Sequence, residues 1–199
     1  MNPPYSGQLI IISGPSGVGK SSVVSELLSS CELPLELSVS ATTREPRINE
    51  VDGVHYHFIS LQEFFAKRQN EEFLECAEVF GIGHWYGTLE KPVRERLEKG
   101  RFVVLEIDVE GALMVLKRFP EATSIFIHPG DLVELEKRLR GRETEKEEQI
   151  QRRIAVAAKE LEMAHHYQHI VRNEEIQATA TKICGLLNQT GEEKICTTN

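Results

Sequence analysis

Apolar residues along the chain fall into short continuous runs separated by longer amphipathic stretches. The runs occupy residues 8–13, 101–108 and 123–129, with a shorter one at 169–171. Continuous apolar runs bounded by turn residues predict strands that are buried on both faces. Apolar residues at helical spacing follow the first three runs. We therefore predict an α/β fold in which a parallel sheet is covered by helices on both faces.

Residues 38–91 interrupt this alternation of strands and helices. Apolar and polar residues alternate as in a strand at 54–60 and again at 72–80, and a short helix is predicted at 61–69. The glycine- and aromatic-rich stretch 81–88 is interpreted as a loop. Together these features predict an inserted, strand-rich lobe.

Residues 130–160 interrupt the alternation in another way, as a long charged helical arm that is broken near Gly141. A closing helix is predicted at 176–189, and residues 191–199 are predicted to form a flexible tail. The predicted core is therefore assembled from three separate segments, residues 1–37, 92–129 and 161–190.

The composition is that of an ordinary globular protein with a net negative charge. The 199 residues carry a formal charge of -8, which argues against a nucleic-acid partner. No apolar run approaches the roughly 18 residues that cross a bilayer, so we expect no membrane partner and a cytoplasmic location. The four cysteines lack metal-binding spacing and are expected to be reduced thiols, at positions 31, 76, 184 and 196. A monomer and a homo-oligomer fit the sequence equally.

The segment GPSGVGKS, directly after the first apolar run, matches the phosphate-binding pattern G-x-x-x-x-G-K-[ST]. Its glycines allow backbone N–H groups to surround phosphate oxygens, and the helix that follows directs its positive end at the anion. Lys20 would reach the β- and γ-phosphates, and Ser21 would bind Mg²⁺. The motif therefore predicts a site for a nucleoside triphosphate, formed by Gly14, Pro15, Ser16, Gly17, Val18, Gly19, Lys20, Ser21 and Ser22.

The inserted lobe carries groups that suit a second phosphate. Arg44 and Arg47 lie three residues apart, and Pro46 between them favours a bend. Guanidinium groups bind phosphate oxygens in pairs, and Tyr56 and Tyr86 add hydroxyl donors. A solvated basic turn with two packing tyrosines would have the same composition, so the residues alone leave both interpretations open.

The blocks GPSGVGKS, SVSATTREPR, GVHYHF, EFLECAEVFGIGHWYGT and LEIDVEGA, in this order, resemble the guanylate kinase family. The resemblance runs from about residue 8 to about residue 187. It implies a P-loop NTPase-type fold with a GMP-binding lobe at 38–91 and a mobile lid at 130–160. The implied activity is Mg²⁺-dependent transfer of the γ-phosphoryl group of ATP to GMP, and to dGMP.

The resemblance also implies roles for individual residues. The acceptor phosphate would be held by Arg44, Arg47, Tyr56 and Tyr86. Guanine would be bound by Ser40, Glu75 and Thr88. Two acidic residues would lie near the metal and the acceptor, Glu106 and Asp108, with Asp108 ligating the metal through water. The lid would supply Arg138, Arg142 and Arg153, which with Lys20 and Arg44 form the catalytic set. Asn173 would lie close to the adenine of ATP.

The chemistry of guanine supports the role implied for Glu75. Guanine presents N1–H and N2–H₂ as adjacent donors, and one carboxylate can accept from both. Adenine has neither, so bound AMP would leave a buried carboxylate without a partner. Mismatches of this kind can discriminate by roughly 10⁴-fold. The acceptor phosphate, with a second pKa of about 6, needs no base to free its oxygen at neutral pH.

Three positions depart from the family pattern. Glu110 stands where an amide is common, Glu143 stands where the lid often has glycine, and Thr88 replaces serine. The first two add negative charge near the polyphosphate. Thr88 keeps the hydroxyl group.

Two other functions share parts of this sequence pattern. An inactive guanylate-kinase-like module that binds peptides would lack a working phosphate loop, whereas Lys20 and Ser21 are present. A P-loop kinase of a phosphorylated sugar would not need the base-binding set formed by Ser40, Glu75 and Thr88. The sequence therefore favours the nucleotide kinase over both.

Overall fold

A computed structural model describes residues 7–79, 83–140 and 147–196. The strands in these ranges are β1 Gln8–Ser13, β2 Leu35–Leu37, β3 Ala41–Thr42, β4 His57–Phe58, β5 Phe73–Val79, β6 His84–Leu89, β7 Phe102–Glu106, β8 Thr123–His128 and β9 His169–Arg172. The helices are α1 Lys20–Ser30, α2 Leu61–Gln69, α3 Glu90–Glu98, α4 Val109–Arg118, α5 Leu132–Arg140, α6 Glu147–Glu162 and α7 Ile176–Cys196. A 3-10 turn at Met163–His166 joins α6 to β9.

The larger sheet confirms the predicted α/β fold. Its five strands run parallel in the order β2-β7-β1-β8-β9. Every residue of β1 is buried. Leu9 and Ile11 pack on one side of this strand, in the cluster that includes α4. Ile10 and Ile12 pack on the other side with α1 and α7. The sheet therefore has a hydrophobic layer on each face, as continuous apolar runs predict.

The smaller sheet corrects the interpretation of residues 81–88 as a loop. Its order is β4-β3-β6-β5, and β6 pairs antiparallel with both β3 and β5. Residues 84–88 therefore lie in a strand. Trp85 packs with Phe64 of α2, and Gly87 lies close against Cys76 of β5. Aromatic residues favour strands. Trp85 and Tyr86 therefore favour a strand here in spite of the neighbouring glycines.

Two predicted lengths also differ from the structure. The strand predicted at 54–60 is reduced to the two residues of β4, because residues 53–55 form a turn that is closed by an isolated bridge between Asp52 and Tyr56. Helix α7 continues to Cys196, past the predicted start of the tail at residue 191. No helix in the described ranges is long and apolar enough to cross a bilayer. The division into core, lobe and lid remains a prediction.

The expectation of reduced thiols is wrong for two of the cysteines. Cys31, at the end of α1, forms a disulfide with Cys184 of α7, with 5.8 Å between the two Cα atoms. The two helices pack together on the same face of the larger sheet. A separation of 153 residues hides this proximity from the sequence. Cys76 is a free thiol.

We expect the Cys31–Cys184 disulfide to stabilise the folded chain by about 2–4 kcal/mol, because it restricts the unfolded ensemble. Urea unfolding with and without a reductant measures this difference. The double variant Cys31→Ser, Cys184→Ser is the control and should be insensitive to the reductant. An identical unfolding midpoint of the wild type under both conditions would contradict the expectation.

Candidate active site

The phosphate loop lies at the carboxyl end of β1, between that strand and α1. Gly14 has a φ of 147°, and a Cβ there would collide with the carbonyl oxygen of Ile127. Gly19 has a φ of 96°, and a Cβ there would lie 2.9 Å from Asn173 Nδ2. Glycine is therefore required at both positions, by backbone conformation and by close packing.

Lys20 opens α1 and folds back over the loop that precedes it. Its Nζ donates to the carbonyl oxygen of Gly14 at 2.6 Å. Burial lowers the pKa of Lys20, while the negative charges of Glu160, Glu106 and Asp108 oppose this shift. The charge of the ammonium group is thus offset by acidic side chains from two segments of the chain, residues 106–108 and α6.

Two acidic residues lie at the carboxyl end of β7, the strand next to β1: Glu106 is its last residue and Asp108 follows it. Glu106 Oε1 accepts a hydrogen bond from Ser21 Oγ at 2.5 Å. Asp108 caps α4, because its Oδ1 accepts from the backbone N–H of Gly111 at 2.8 Å. The structure therefore brings Ser21, Glu106 and Asp108 to one edge of the larger sheet, beside Lys20.

Glu75 and Thr88 form a buried pair in the smaller sheet. They face each other across the antiparallel strands β5 and β6. Thr88 Oγ1 donates to Glu75 Oε1 at 2.7 Å, and the two residues are only 0 % and 6 % exposed respectively. Burial raises the pKa of Glu75 to about 7, the bond from Thr88 opposes the shift, and the charge of Asp108 adds to it. A carboxyl group with this pKa can be switched between its charged and neutral forms near neutral pH.

Arg44 is held rigidly within the inserted lobe. Its Nε donates to the hydroxyl oxygen of Tyr86 at 3.1 Å, and its guanidinium lies 5.6 Å from the ring centroid of Tyr56. Glu50 accepts from both terminal nitrogens of Arg44, at 2.8 and 2.9 Å. The bond to Arg44 lowers the pKa of Glu50 to about 2. The sequence analysis did not identify Glu50, although a carboxylate three residues after Arg47 is a visible signal.

Arg47 and Ser40 are placed differently from Arg44. The backbone N–H of Arg47 donates to Glu50 at 2.7 Å, but its side chain is exposed. Ser40 is partly buried next to β3, and its carbonyl oxygen accepts from the N–H of His57. Arg44 and Arg47 therefore converge on the Glu50 carboxylate in this structure. Arg44 binds it through its side chain and Arg47 through its backbone N–H.

The acidic residues Glu106 and Asp108 act electrostatically on two side chains of the inserted lobe. Burial raises the pKa of Tyr56, and the negative charge of Glu106 raises it further. Similarly, the charge of Asp108 acts on Glu75 of the smaller sheet. Glu106 also accepts the hydrogen bond from Ser21 of the phosphate loop, so one carboxylate both contacts that loop and acts through its charge on Tyr56.

Helices α5 and α6 each direct an arginine at the phosphate loop. Arg138 donates to the carbonyl oxygens of Val18 at 3.4 Å and of Asn173 at 3.1 Å. Arg153 donates to Ser16 Oγ at 2.9 Å. The structure therefore brings two of the three predicted lid arginines to the loop. Arg142 and Glu143 lie outside the described residues.

Asn173 braces the phosphate loop through its side chain. Its Nδ2 donates to the carbonyl oxygen of Val18 at 2.7 Å, and its Oδ1 accepts from Thr179 Oγ1 at 3.0 Å. A second residue that the sequence analysis missed is Glu160 of α6. Its carboxylate accepts from the backbone N–H of Ser16 and is close enough to Lys20 to influence its pKa.

Comparisons with known proteins point to one family. A family model described as guanylate kinase matches residues 6–190. The chain is 46 % identical to a guanylate kinase of Rhodopirellula baltica, over 98 % of the chain and 94 % of that relative. It is also 46 % identical to a guanylate kinase of Mycoplasma mycoides. That match covers 93 % of this chain but only 62 % of the length of the relative.

Solved structures give the same result. The crystal structure of guanylate kinase from Anaplasma phagocytophilum superposes with a TM-score of 0.78 at 31 % identity, covering 94 % of this chain and 87 % of that one. A gluconokinase from Sinorhizobium meliloti superposes with a TM-score of 0.52 at 16 % identity. The second likeness concerns the fold alone.

Proposed function

The chain belongs to the guanylate kinase family and transfers the γ-phosphoryl group of ATP to GMP, and we propose that the phosphate loop binds ATP while the inserted lobe binds GMP. The observation that carries this division is that Glu106 contacts Ser21 of the phosphate loop while its charge acts on Tyr56 of the inserted lobe. Such an arrangement would bring donor and acceptor phosphates together. A cytoplasmic role in purine nucleotide metabolism fits this activity.

ATP would be bound mainly by backbone N–H groups of the loop and by the positive end of α1. Lys20 would leave the carbonyl oxygen of Gly14 and bind the β- and γ-phosphates instead. Asn173, which donates a hydrogen bond to the carbonyl oxygen of Val18, would lie close to the adenine of ATP. The full ATP set is that of the predicted motif, Gly14, Pro15, Ser16, Gly17, Val18, Gly19, Lys20, Ser21 and Ser22, together with Asn173.

Mg²⁺ is the metal that fits this edge of the sheet. Ser21 Oγ and the Asp108 carboxylate are oxygen donors of the kind that Mg²⁺ prefers. No group of three acidic, histidine or cysteine residues suited to a metal occurs in the part of the chain that is described, so the ion would share its ligands between protein, water and phosphates. When held by Ser21 and Asp108, it would supply positive charge that offsets the charge of the phosphates.

GMP would be bound at both of its ends. Arg44, fixed by Glu50 and Tyr86, would donate to the acceptor phosphate, with Arg47 and Tyr56 beside it. At the other end, Glu75 would accept from guanine N1–H and N2–H₂, with Ser40 and Thr88 as further polar contacts. Nothing in this set depends on the ribose 2′-hydroxyl, so we expect dGMP to be accepted.

The transfer step requires positive charge and alignment more than proton transfer. GMP is largely a dianion at neutral pH, so its oxygen can attack the γ-phosphorus without a general base. Lys20 belongs to the phosphate loop and Arg138 and Arg153 contact it, and their charges would neutralise the transferred group. Closure of the lid segment, including Arg142, would exclude water from the reacting phosphates.

A coupled assay of ADP formation with GMP, AMP, CMP or UMP as acceptor tests this function. We expect GMP to exceed each of the others by several orders of magnitude in kcat/KM, roughly 10⁴-fold over AMP. Comparable rates with AMP would contradict a guanine-binding role for Glu75. Higher activity with a phosphorylated sugar than with GMP would contradict the proposed acceptor.

We also expect a pH dependence that comes from Glu75. Guanine needs the ionised carboxylate, and burial raises the pKa of Glu75 to about 7. The group is therefore charged above this pH and becomes protonated as the pH falls through it. kcat/KM for GMP should fall by up to about tenfold per unit below the pKa. The profile of Glu75→Gln, which keeps the titration of GMP itself, is the control; identical profiles would contradict this origin.

A further inference from the structure

Gly111 lies where the guanine-binding carboxylate meets the first turn of α4. A Cβ placed on Gly111 would lie 2.8 Å from Glu75 Oε2 and 3.2 Å from Glu75 Cδ. Real Cβ atoms do not approach other atoms as closely as 2.8 Å. The absence of a side chain at position 111 therefore allows the Glu75 carboxylate to occupy its observed place.

The helix itself does not require glycine here. Gly111 is not among the glycines with a positive φ. Its backbone N–H donates to Asp108 Oδ1 at 2.8 Å, a bond that alanine would keep. In a helix, alanine is favoured over glycine by about 1 kcal/mol. The local backbone therefore gives no reason for this residue, and the neighbouring carboxylate does.

Glu75 has little room to move away. Its Oε1 accepts a hydrogen bond from Thr88, and the residue as a whole is 6 % exposed. The two residues lie opposite each other on the paired strands β5 and β6. The atoms nearest to an added methyl group are the end of the Glu75 side chain and, at 3.2 Å, Asp108 Oδ1; none of them is backbone. The displacement would therefore fall on the group that binds guanine, while the fold tolerates it.

We propose that Gly111 is a specificity-determining residue, which positions Glu75 for guanine by leaving its carboxylate space above the first turn of α4. The inference rests on the proposed role of Glu75. Gly111 acts through Glu75 and does not itself touch the nucleotide. The same substitution should affect ATP much less than GMP, because the atoms nearest to the added Cβ belong to Glu75 and to Asp108, which is expected to ligate the metal only through water.

The test is steady-state kinetics of Gly111→Ala with ATP and three acceptors, GMP, IMP and AMP. IMP has N1–H but lacks the 2-amino group, so its comparison with GMP reports whether Glu75 still accepts from both donors. A misplacement of about 1 Å can cost roughly 10²-fold. We expect kcat/KM for GMP to fall by about that factor and the GMP-to-IMP ratio to approach one. KM for ATP should change far less than kcat/KM for GMP.

Two further variants isolate the cause. Gly185→Ala in α7, where nothing lies within 4 Å of an added Cβ, is the matched control and should keep every ratio. Glu75→Asp shortens the carboxylate by one methylene. Combined with Gly111→Ala, it should recover part of the preference for GMP over IMP that Gly111→Ala alone loses.

Each outcome decides a separate question. If the wild type does not prefer GMP over AMP, the proposed role of Glu75 fails. If the wild type prefers GMP and Gly111→Ala keeps the same GMP-to-IMP ratio, the role of Gly111 is overturned. A lowered Tm with equal losses towards ATP and GMP would also overturn it, because it would make Gly111 a structural residue only.

Discussion

Replacing Arg153 by alanine should lower kcat by about 10³-fold or more while GMP still binds. Arg153 reaches the phosphate loop from α6 and donates to Ser16 Oγ at 2.9 Å. An arginine that neutralises the transferred phosphoryl group is typically worth about 10³- to 10⁵-fold in rate. Because this charge develops in the transition state, kcat should fall far more than KM for GMP rises.

The neighbouring arginine provides a matched control for this prediction. Arg152 has the same charge and lies on the same helix, but it is exposed. Arg152→Ala should therefore keep nearly wild-type turnover. Calorimetric titration of GMP checks that Arg153→Ala still binds the acceptor. Near wild-type kcat in Arg153→Ala would remove this arginine from the proposed mechanism.

Replacing Glu75 by glutamine should reduce the preference for GMP over AMP by about 10²-fold or more. The amide keeps the size of the side chain but removes one acceptor and places a donor against the donors of guanine. Sites that bind a polar group through a buried partner discriminate by roughly 10⁴-fold, and this discrimination depends on the partner's chemistry. The ratio of kcat/KM for the two acceptors measures the effect.

Glu78 on the same strand serves as the control for Glu75. It is exposed and accepts a hydrogen bond from the backbone N–H of Gly83 at 2.8 Å, which glutamine can also accept. Glu78→Gln should therefore keep the preference for GMP. An unchanged preference in Glu75→Gln would mean that guanine is recognised elsewhere in the lobe.

The core of the fold could be predicted because its signals are local. The five parallel strands include three continuous apolar runs, and the phosphate loop follows the first of them. Strand β6 was missed because its glycine and aromatic residues fit a loop as well as a strand. The disulfide between Cys31 and Cys184 was missed because only the packing of α1 against α7 brings these residues together.

The site was predictable to the extent that its residues form motifs. Lys20 and Ser21 follow from the spacing of the phosphate loop, and the assignment of Glu75 came from the family resemblance. Glu50 and Glu160 carry no such pattern. Only the fold brings Glu50 against Arg44 and Glu160 against the phosphate loop. The roles assigned to all of these residues remain predictions.

Binding of a bisubstrate analogue tests the central claim most directly, because this claim concerns the distance between two phosphate sites. A guanosine and an adenosine joined by five phosphates would occupy both sites at once, and joining two ligands can raise affinity by 10²-fold or more. Calorimetry with Mg²⁺ should show this analogue binding at least about 10²-fold more tightly than ATP or GMP alone, with the diadenosine analogue much weaker. Affinity no greater than that of the single nucleotides would contradict the claim that the phosphate loop and the inserted lobe face each other across one site.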